Sequence, residues 1–266
     1  MSTNSNLRAV PRVNNDFYDR LGERWYSAQD DPVALLRAES RARNPWVVSE
    51  ISAAFPDGRA TVLDVGCGAG FLTNELARHG FQVTGLDASP MSLALARQYD
   101  ATRSVRYDTG VAESLPYPAQ SFRVVCALDL LEHVEDPERI VSEIARVLAP
   151  GGLFFFHTFN RNLLSWLIVI KGIEWFVKNT PANMHCLRYF IKPAELRAIC
   201  LRNRLRVETM KGLAPRVFQR AFWKMILTGV VPEGFAFRFT RSTPMGYLGV
   251  AVKYNFTAET RSGGGE

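Results

Sequence analysis

Two hydrophobic periods divide the chain. From about Asn14 to Phe55, "FYDRLGERWY" and "DPVALLRAESRARNPWVVSEISAAF" place apolar residues three and four apart, the spacing of one helix face, and predict two or three helices. From Thr61 short apolar runs alternate with helical ones. "TVLDVGC" reads as a buried strand, "GFLTNELARHG" as a helix ending at Gly80, "QVTGLDAS" as a strand, and "PMSLALARQYD" as a helix with Pro90 in its first turn. "SVRYDTG" is a third strand and "SFRVVCALDLLEHV" a fourth with its exit. "DPERIVSEIARVLAPGG" is a helix stopped by Pro150-Gly151-Gly152, and "LFFFHTF" is a fifth strand. After an insertion, "KPAELRAICLRNRL" is a further helix, and "RVETMKGLAP" and "MGYLGVAVKYN" are the last strands.

Strands alternating with helices of this length call for right-handed crossovers. The expected fold class is therefore α/β, with a doubly wound, mostly parallel sheet of seven strands. All 266 residues are read as a single domain. Its parts are N-terminal helices over 14–58, a core over 59–160, an insertion over 161–192, a C-terminal helix and strands over 193–256, and a flexible tail over 257–266.

The insertion opens with the most apolar stretch of the chain, "RNLLSWLIVIKGIEWFVKNTP". Its unbroken apolar run, Trp166 to Ile170, is far shorter than the roughly 20 residues needed to cross a bilayer. Lys171, Glu174 and Lys178 recur on one side at helical spacing, while Trp166, Leu167, Ile170, Ile173 and Val177 line the other. That pattern predicts an amphipathic helix lying in a membrane surface beside the mouth of the site expected after the fifth strand, or else a lid packed on the protein's own core.

Charge sharpens this picture. The chain carries a net +6, and from 161 to 220 twelve Lys and Arg stand against three Glu. Such a bias suits an anionic membrane surface or a nucleic acid as partner, or is merely a solvated face. No nucleic-acid partner is expected, because the aromatics are not interleaved with the basic residues as in a stacking platform. Cys67, Cys126, Cys186 and Cys200 show no paired spacing, and the N-terminal segment lacks the apolar core of an export signal. A reducing, cytoplasmic setting is expected, with peripheral attachment to the inner face of a membrane.

"VLDVGCGAGF" carries the chemistry. A strand runs into Gly66, Gly68 and Gly70 and then into a helix, so the backbone can approach a ligand closely. The spacing is GxGxG where a pyrophosphate-binding turn has GxGxxG, and Asp64 just ahead would repel a phosphate and attract an ammonium group. Asp87 ends the second strand, where its carboxylate can accept both hydroxyls of a ribose. A cofactor with a free ribose, a cationic amino-acid part and no phosphate meets all of these demands. S-adenosylmethionine is such a cofactor.

"VLDVGCGAGFL", "VTGLDAS", "AESLPYP", "LLEHVEDP" and "VLAPGG" resemble the motifs of class I S-adenosylmethionine-dependent methyltransferases. The resemblance implies that Asp64, Gly66, Gly68, Gly70, Asp87 and Ala88 hold the ribose and methionine parts, with Val111, Ala112 and Leu128 around the adenine. "FNRNLLSWLIVIKGIEW" and "MHCLRYFIKPAELR", together with "DFYDRLGERWY" and "RNPWV", resemble the narrower family of ubiquinone-biosynthesis O-methyltransferases, which act on polyprenylated phenols and demethylubiquinol. Where that family has a cofactor-holding Arg in "NPLR", this chain has Val47, so the contact is absent or supplied by a neighbour such as Arg41 or Arg43.

Transfer to a phenol needs the phenolic proton removed or screened, since a free phenol titrates near pH 10. Asp129, Glu132 and His133, at the exit of the fourth strand, are the catalytic candidates. By resemblance to the family's Glu-x-x-Glu-His they are also candidate ligands for magnesium, manganese or zinc. The alternative is that the acid caps a helix and His133 packs or acts alone as base. His157 reads as a core residue and His185 as facing the substrate mouth or solvent. The function implied is O-methylation of a lipid-tailed phenol or quinol at a membrane. The alternatives are a soluble phenol and, further off, an RNA.

Overall fold

The fold is that of a computed structural model, which describes residues 16–254. The expected tail at 257–266 lies outside the described residues. Eight strands form one sheet in the order β3-β2-β1-β4-β5-β8-β6-β7. They are β1 (Thr61–Val65), β2 (Gln82–Asp87), β3 (Arg106–Thr109), β4 (Phe122–Leu128), β5 (Leu148–Phe159), β6 (Leu205–Pro215), β7 (Phe237–Thr240) and β8 (Gly246–Lys253). β1 to β5 run parallel, and β8, β6 and β7 continue the sheet antiparallel. The expected seven strands are all present; the eighth, β7, is the short edge strand Phe237-Arg238-Phe239-Thr240.

Short helices α1 (Asp16–Asp19) and α2 (Arg24–Ser27) precede the long α3 (Val33–Ala54). Then come α4 (Thr73–Arg78), α5 (Pro90–Gln98) and α6 (Pro137–Val147). The insertion holds α7 (Leu163–Ser165), a π-helical turn over Trp166–Lys171, and α8 (Gly172–Phe176); α9 (Pro193–Arg202) and α10 (Arg220–Thr228) complete the set. Local chemistry explains the starts. Ser89 and Asp136 each accept the backbone N–H of the third residue of their helix, and Pro90 and Pro137 follow at the first helical position. α6 ends before Pro150, because Leu148 is already extended and opens β5.

The strands alternate between two cores, as their period of two requires. Val62, Val124, Cys126 and Phe155 face α3 and α4 through Val47, Ile51, Leu72 and Leu76. Leu63, Val65, Val125, Phe154 and Phe156 face α6 and α9 through Ile140, Ile144, Leu196 and Ile199. Strand order reverses between β1 and β4, so a crevice opens at their carboxyl ends.

Candidate active site

A cavity of about 1010 Å³ fills that crevice. The glycine loop forms its first wall. Gly66, Gly68 and Gly70 have φ of 72°, 51° and 82°, the left-handed region that glycine enters without strain. A Cβ on Gly68 would meet the Trp25 ring at 3.2 Å, so α2 lies directly over the loop. Gly70 does not line the cavity. It lies behind the loop, where a Cβ would meet the Tyr107 hydroxyl at 2.9 Å and Ala96 and Asn74 at 3.0 Å, so its role is packing and not ligand contact.

Asp64, Gly66, Gly68, Asp87, Ala88, Val111, Ala112 and Leu128 all line the cavity. Asp87 accepts the Gly68 N–H through one oxygen and the Ser89 N–H through the other, each at 2.8 Å, which aims the carboxylate across the loop. Asp64 is buried and accepts the Thr73 hydroxyl at 2.7 Å; burial pushes its carboxyl up to about 7.

Asp129, Glu132 and His133 also line the cavity, but not as a set of metal ligands. Asp129 pairs with the Arg43 guanidinium and accepts a hydrogen bond from His157 Nδ1. Burial would raise the Asp129 carboxyl, yet Arg43 and His157 hold it well below the usual range. Glu132 is fully buried with neither oxygen partnered, and burial together with Asp129 pushes its pKa up. His133 is half-buried and held neutral, lowered to about 4 by burial. Among the described residues, the His, Asp and Glu side chains whose ligand atoms do converge, within 4.8 Å, are Glu39, Asp129 and His157. The Arg43 guanidinium already supplies positive charge to that cluster. The donor set expected for a divalent cation is therefore not assembled, and Asp129 is committed elsewhere.

His157 is fully buried; burial alone would lower its imidazole, but Asp129 outweighs this and the net shift is upward. His185, from the insertion, faces His133 with ring centroids 5.3 Å apart and is lowered to about 3, chiefly by burial. Tyr18 of α1 meets His133 edge-on at 5.8 Å.

The far arm of the cavity is apolar. Ile173, Trp175 and Phe176 of the insertion face Leu213 and Pro215 of β6, Phe222, Met225 and Ile226 of α10, and Phe237 of β7. Trp175, Phe176 and Val217 line this arm and are also exposed, so it opens at a rim of large apolar side chains.

Comparison with known proteins identifies the machinery. Residues 63–156 match the methyltransferase domain family. A ubiquinone biosynthesis O-methyltransferase from Xanthomonas oryzae pv. oryzae is 36% identical over 201 residues, 74% of this chain and 82% of the relative. One from Bordetella avium is 33% identical over 219 residues, 79% and 89% of the two chains. The chain belongs to the ubiquinone biosynthesis O-methyltransferase family. It is an S-adenosylmethionine-dependent methyltransferase. Its fold is shared with magnesium protoporphyrin IX methyltransferase from Synechocystis PCC 6803, solved with bound SAH, at a TM-score of 0.62 and 20% identity over 90% of this chain and 95% of that one.

In this family member the insertion departs from the expected amphipathic helix. Ile170 and Val177 are buried, Trp166 and Ile173 are half-buried in the protein's own cores, and of the expected apolar face Leu167 alone is exposed. The exposed apolar residues are instead Leu163, Leu164, Leu167, Ile168, Trp175 and Phe176. A second exposed set, Phe218, Trp223 and Leu227, comes from the turn before α10 and from α10 itself, which packs beside α8. Among the described residues no helix is long and apolar enough to cross a membrane. At the Arg/Val exchange, Val47 is fully buried in the core, Arg41 turns away to the Glu233 and Phe235 carbonyls, and Arg43 lines the cavity.

Proposed function

We propose that this enzyme methylates a phenolic hydroxyl of a polyprenylated quinone precursor while resting on an anionic membrane surface. The observation that carries this reading is the lining of the cavity, which includes both the glycine loop and a set of large apolar side chains, several of them exposed. A soluble phenol has no use for that arm. A prenyl tail fills it with little desolvation cost, since hydrocarbon moves from bilayer to protein without crossing water.

The residues present fit S-adenosylmethionine: two carboxylates, Asp64 and Asp87, suit an ammonium group and a ribose diol, and the glycines leave room for close approach. When bound, this cofactor supplies a methyl group activated by a sulfonium. The protein's part is to hold the phenol oxygen in line with that methyl, to keep water out with Tyr18 and Trp25 above, and to take the proton. His133 is the base. Its imidazole is neutral and so can accept a proton, and the nearby Asp129 carboxylate stabilises the imidazolium as it forms. His185 stands against His133 from the substrate side and positions it. Glu132, kept protonated by burial, adds no competing charge. No step runs through a metal.

The rim fits the membrane. Leu163, Ile168, Trp175, Phe218, Trp223 and Leu227 are exposed on two segments, the insertion and the α10 region, with Arg216, Arg220 and Lys224 exposed on the second. Transfer of a labelled methyl group to a prenylated demethylubiquinol analogue, compared with its tail-free catechol, tests this reading. Equal turnover of the two would remove its support.

A further inference from the structure

On the reading that the substrate is a phenol, we infer that Glu39 holds a second hydroxyl of its ring, so that the enzyme selects a dihydroxy ring over a monohydroxy one. Glu39 belongs to α3 and lines the cavity. Leu35, Glu39, Ala42 and Trp46 follow one another at spacings of four, three and four, so they share one face of that helix. Leu35, Ala42 and Trp46 pack against the cluster that holds Leu213, Met225 and Phe237, which line the apolar arm. The face that carries Glu39 is therefore turned toward the arm. Glu39 stands where the arm meets the polar end of the cavity, with an oxygen within 4.8 Å of ligand atoms on Asp129 and His157.

Among the described residues the Glu39 carboxyl has no hydrogen-bond or ion-pair partner. Its neighbours are committed to each other: Arg43 Nη1 pairs with Asp129, and His157 Nδ1 donates to the same carboxylate. Glu132 lines the same cavity and is fully buried with neither oxygen partnered, so the polar end holds two carboxyls that the protein leaves unsatisfied. Once a tailed ring displaces water from the cavity, an unpaired carboxyl there is costly. Arg43 already supplies the positive charge, so what is missing is a hydrogen-bonding partner. A ring hydroxyl donates to a carboxylate oxygen or accepts from a carboxylic acid, and thus suits Glu39 in either state. With the tail in the arm, the ring reaches the polar end, where Glu39 and His133 both line the wall. One hydroxyl gives its proton to His133 and takes the methyl group, while Glu39 holds the second. A site built to bond a hydroxyl rejects the ring that lacks it, because its own polar group is then left unpaired.

The test compares a prenylated catechol with the matching prenylated phenol, by kcat/KM and by product, on the full chain. The wild type is expected to prefer the catechol by about 10- to 100-fold and to release a single monomethyl isomer. Glu39→Ala is expected to lower kcat/KM for the catechol by a similar factor, chiefly through KM, and to release both monomethyl isomers. Glu39→Gln, whose amide oxygen still accepts, should keep the isomer ratio close to that of the wild type and lose less activity. Equal kcat/KM for the two rings in the wild type overturns the proposal, and that comparison needs no variant to fold. A folded Glu39→Ala with unchanged KM and a single isomer also overturns it. So does a loss of about tenfold or more in the affinity of that variant for S-adenosylmethionine, which would assign Glu39 to the cofactor instead. Methylation of neither ring overturns the phenol reading itself, and the role of Glu39 with it.

Discussion

His133 and His185 face each other across the cavity with ring centroids 5.3 Å apart, although one follows β4 and the other comes from the insertion after β5. Each is held neutral by burial, His133 at about 4 and His185 at about 3. Neutral imidazole is the working form of a base, so kcat should be flat from neutrality down to about pH 5 and fall below it. Replacing His133 with Gln should lower kcat by about 10²- to 10³-fold and leave cofactor affinity within about threefold. His185→Gln should lower kcat less, because it acts through His133.

The same shift has a consequence for stability. His133 titrates lower in the folded chain than its ordinary 6.5, so between about pH 6.5 and 4 the unfolded chain binds more protons. Stability from this group is present above 6.5 and is lost as the pH falls through that window. His133→Gln should flatten the slope of Tm against pH between those limits, as followed by thermal unfolding.

Asp64 behaves in the opposite sense. Its carboxyl titrates at about 7 in the free protein, because it is buried with Thr73 as its one hydrogen-bond donor. A ligand ammonium group favours the ionised form, so binding of S-adenosylmethionine should release a proton below neutral pH. Affinity should rise about tenfold per unit from pH 5 to 7 and then level off. Calorimetry in buffers of different ionisation enthalpy measures the proton directly, and Asp64→Asn should abolish both effects.

Gly70 and Gly68 separate packing from ligand approach. Gly70→Ala drives a Cβ into Tyr107, Ala96 and Asn74 at a φ of 82°, and should cost about 1–3 kcal/mol in urea unfolding. At Gly68 the neighbour is the Trp25 ring at 3.2 Å, so an Ala there should disturb cofactor binding more than stability.

The rim predicts a membrane phenotype. Ile168→Asp combined with Phe218→Asp removes two exposed apolar contacts from two elements, and should weaken binding to anionic vesicles about 100-fold without changing cofactor affinity. Raised salt should weaken the wild type as well, through Arg216, Arg220 and Lys224.

How much of this was legible in sequence varies by element, for physical reasons. The glycine loop, Asp64 and Asp87 could be read because their chemistry is local: each residue lies at a strand end that apolar periodicity locates. The face of the insertion could not, because a π-helical turn over Trp166–Lys171 takes more residues per turn than an α-helix. An ideal helix wheel therefore puts Leu167 beside Ile170, whereas the structure exposes Leu167 and Ile168 and buries Val169 and Ile170. β7 was missed because its four residues carry too short an alternation to register. α10 was missed because its start carries no capping side chain to mark it: Gln219 makes no cap hydrogen bond. Asp129 looked like a metal ligand because nothing in its neighbourhood along the chain announces Arg43 and His157, which arrive from α3 and β5.

The most direct test of the lipid-tailed substrate is kcat/KM for a demethylubiquinol analogue bearing several isoprene units, set against the same head group without a tail, both presented with anionic vesicles. A preference of about 100-fold or more for the tailed compound is expected, and it should collapse when the arm is blocked by Met225→Trp. Equal values for the two compounds, or a preference for the tail-free head group, would contradict the assignment.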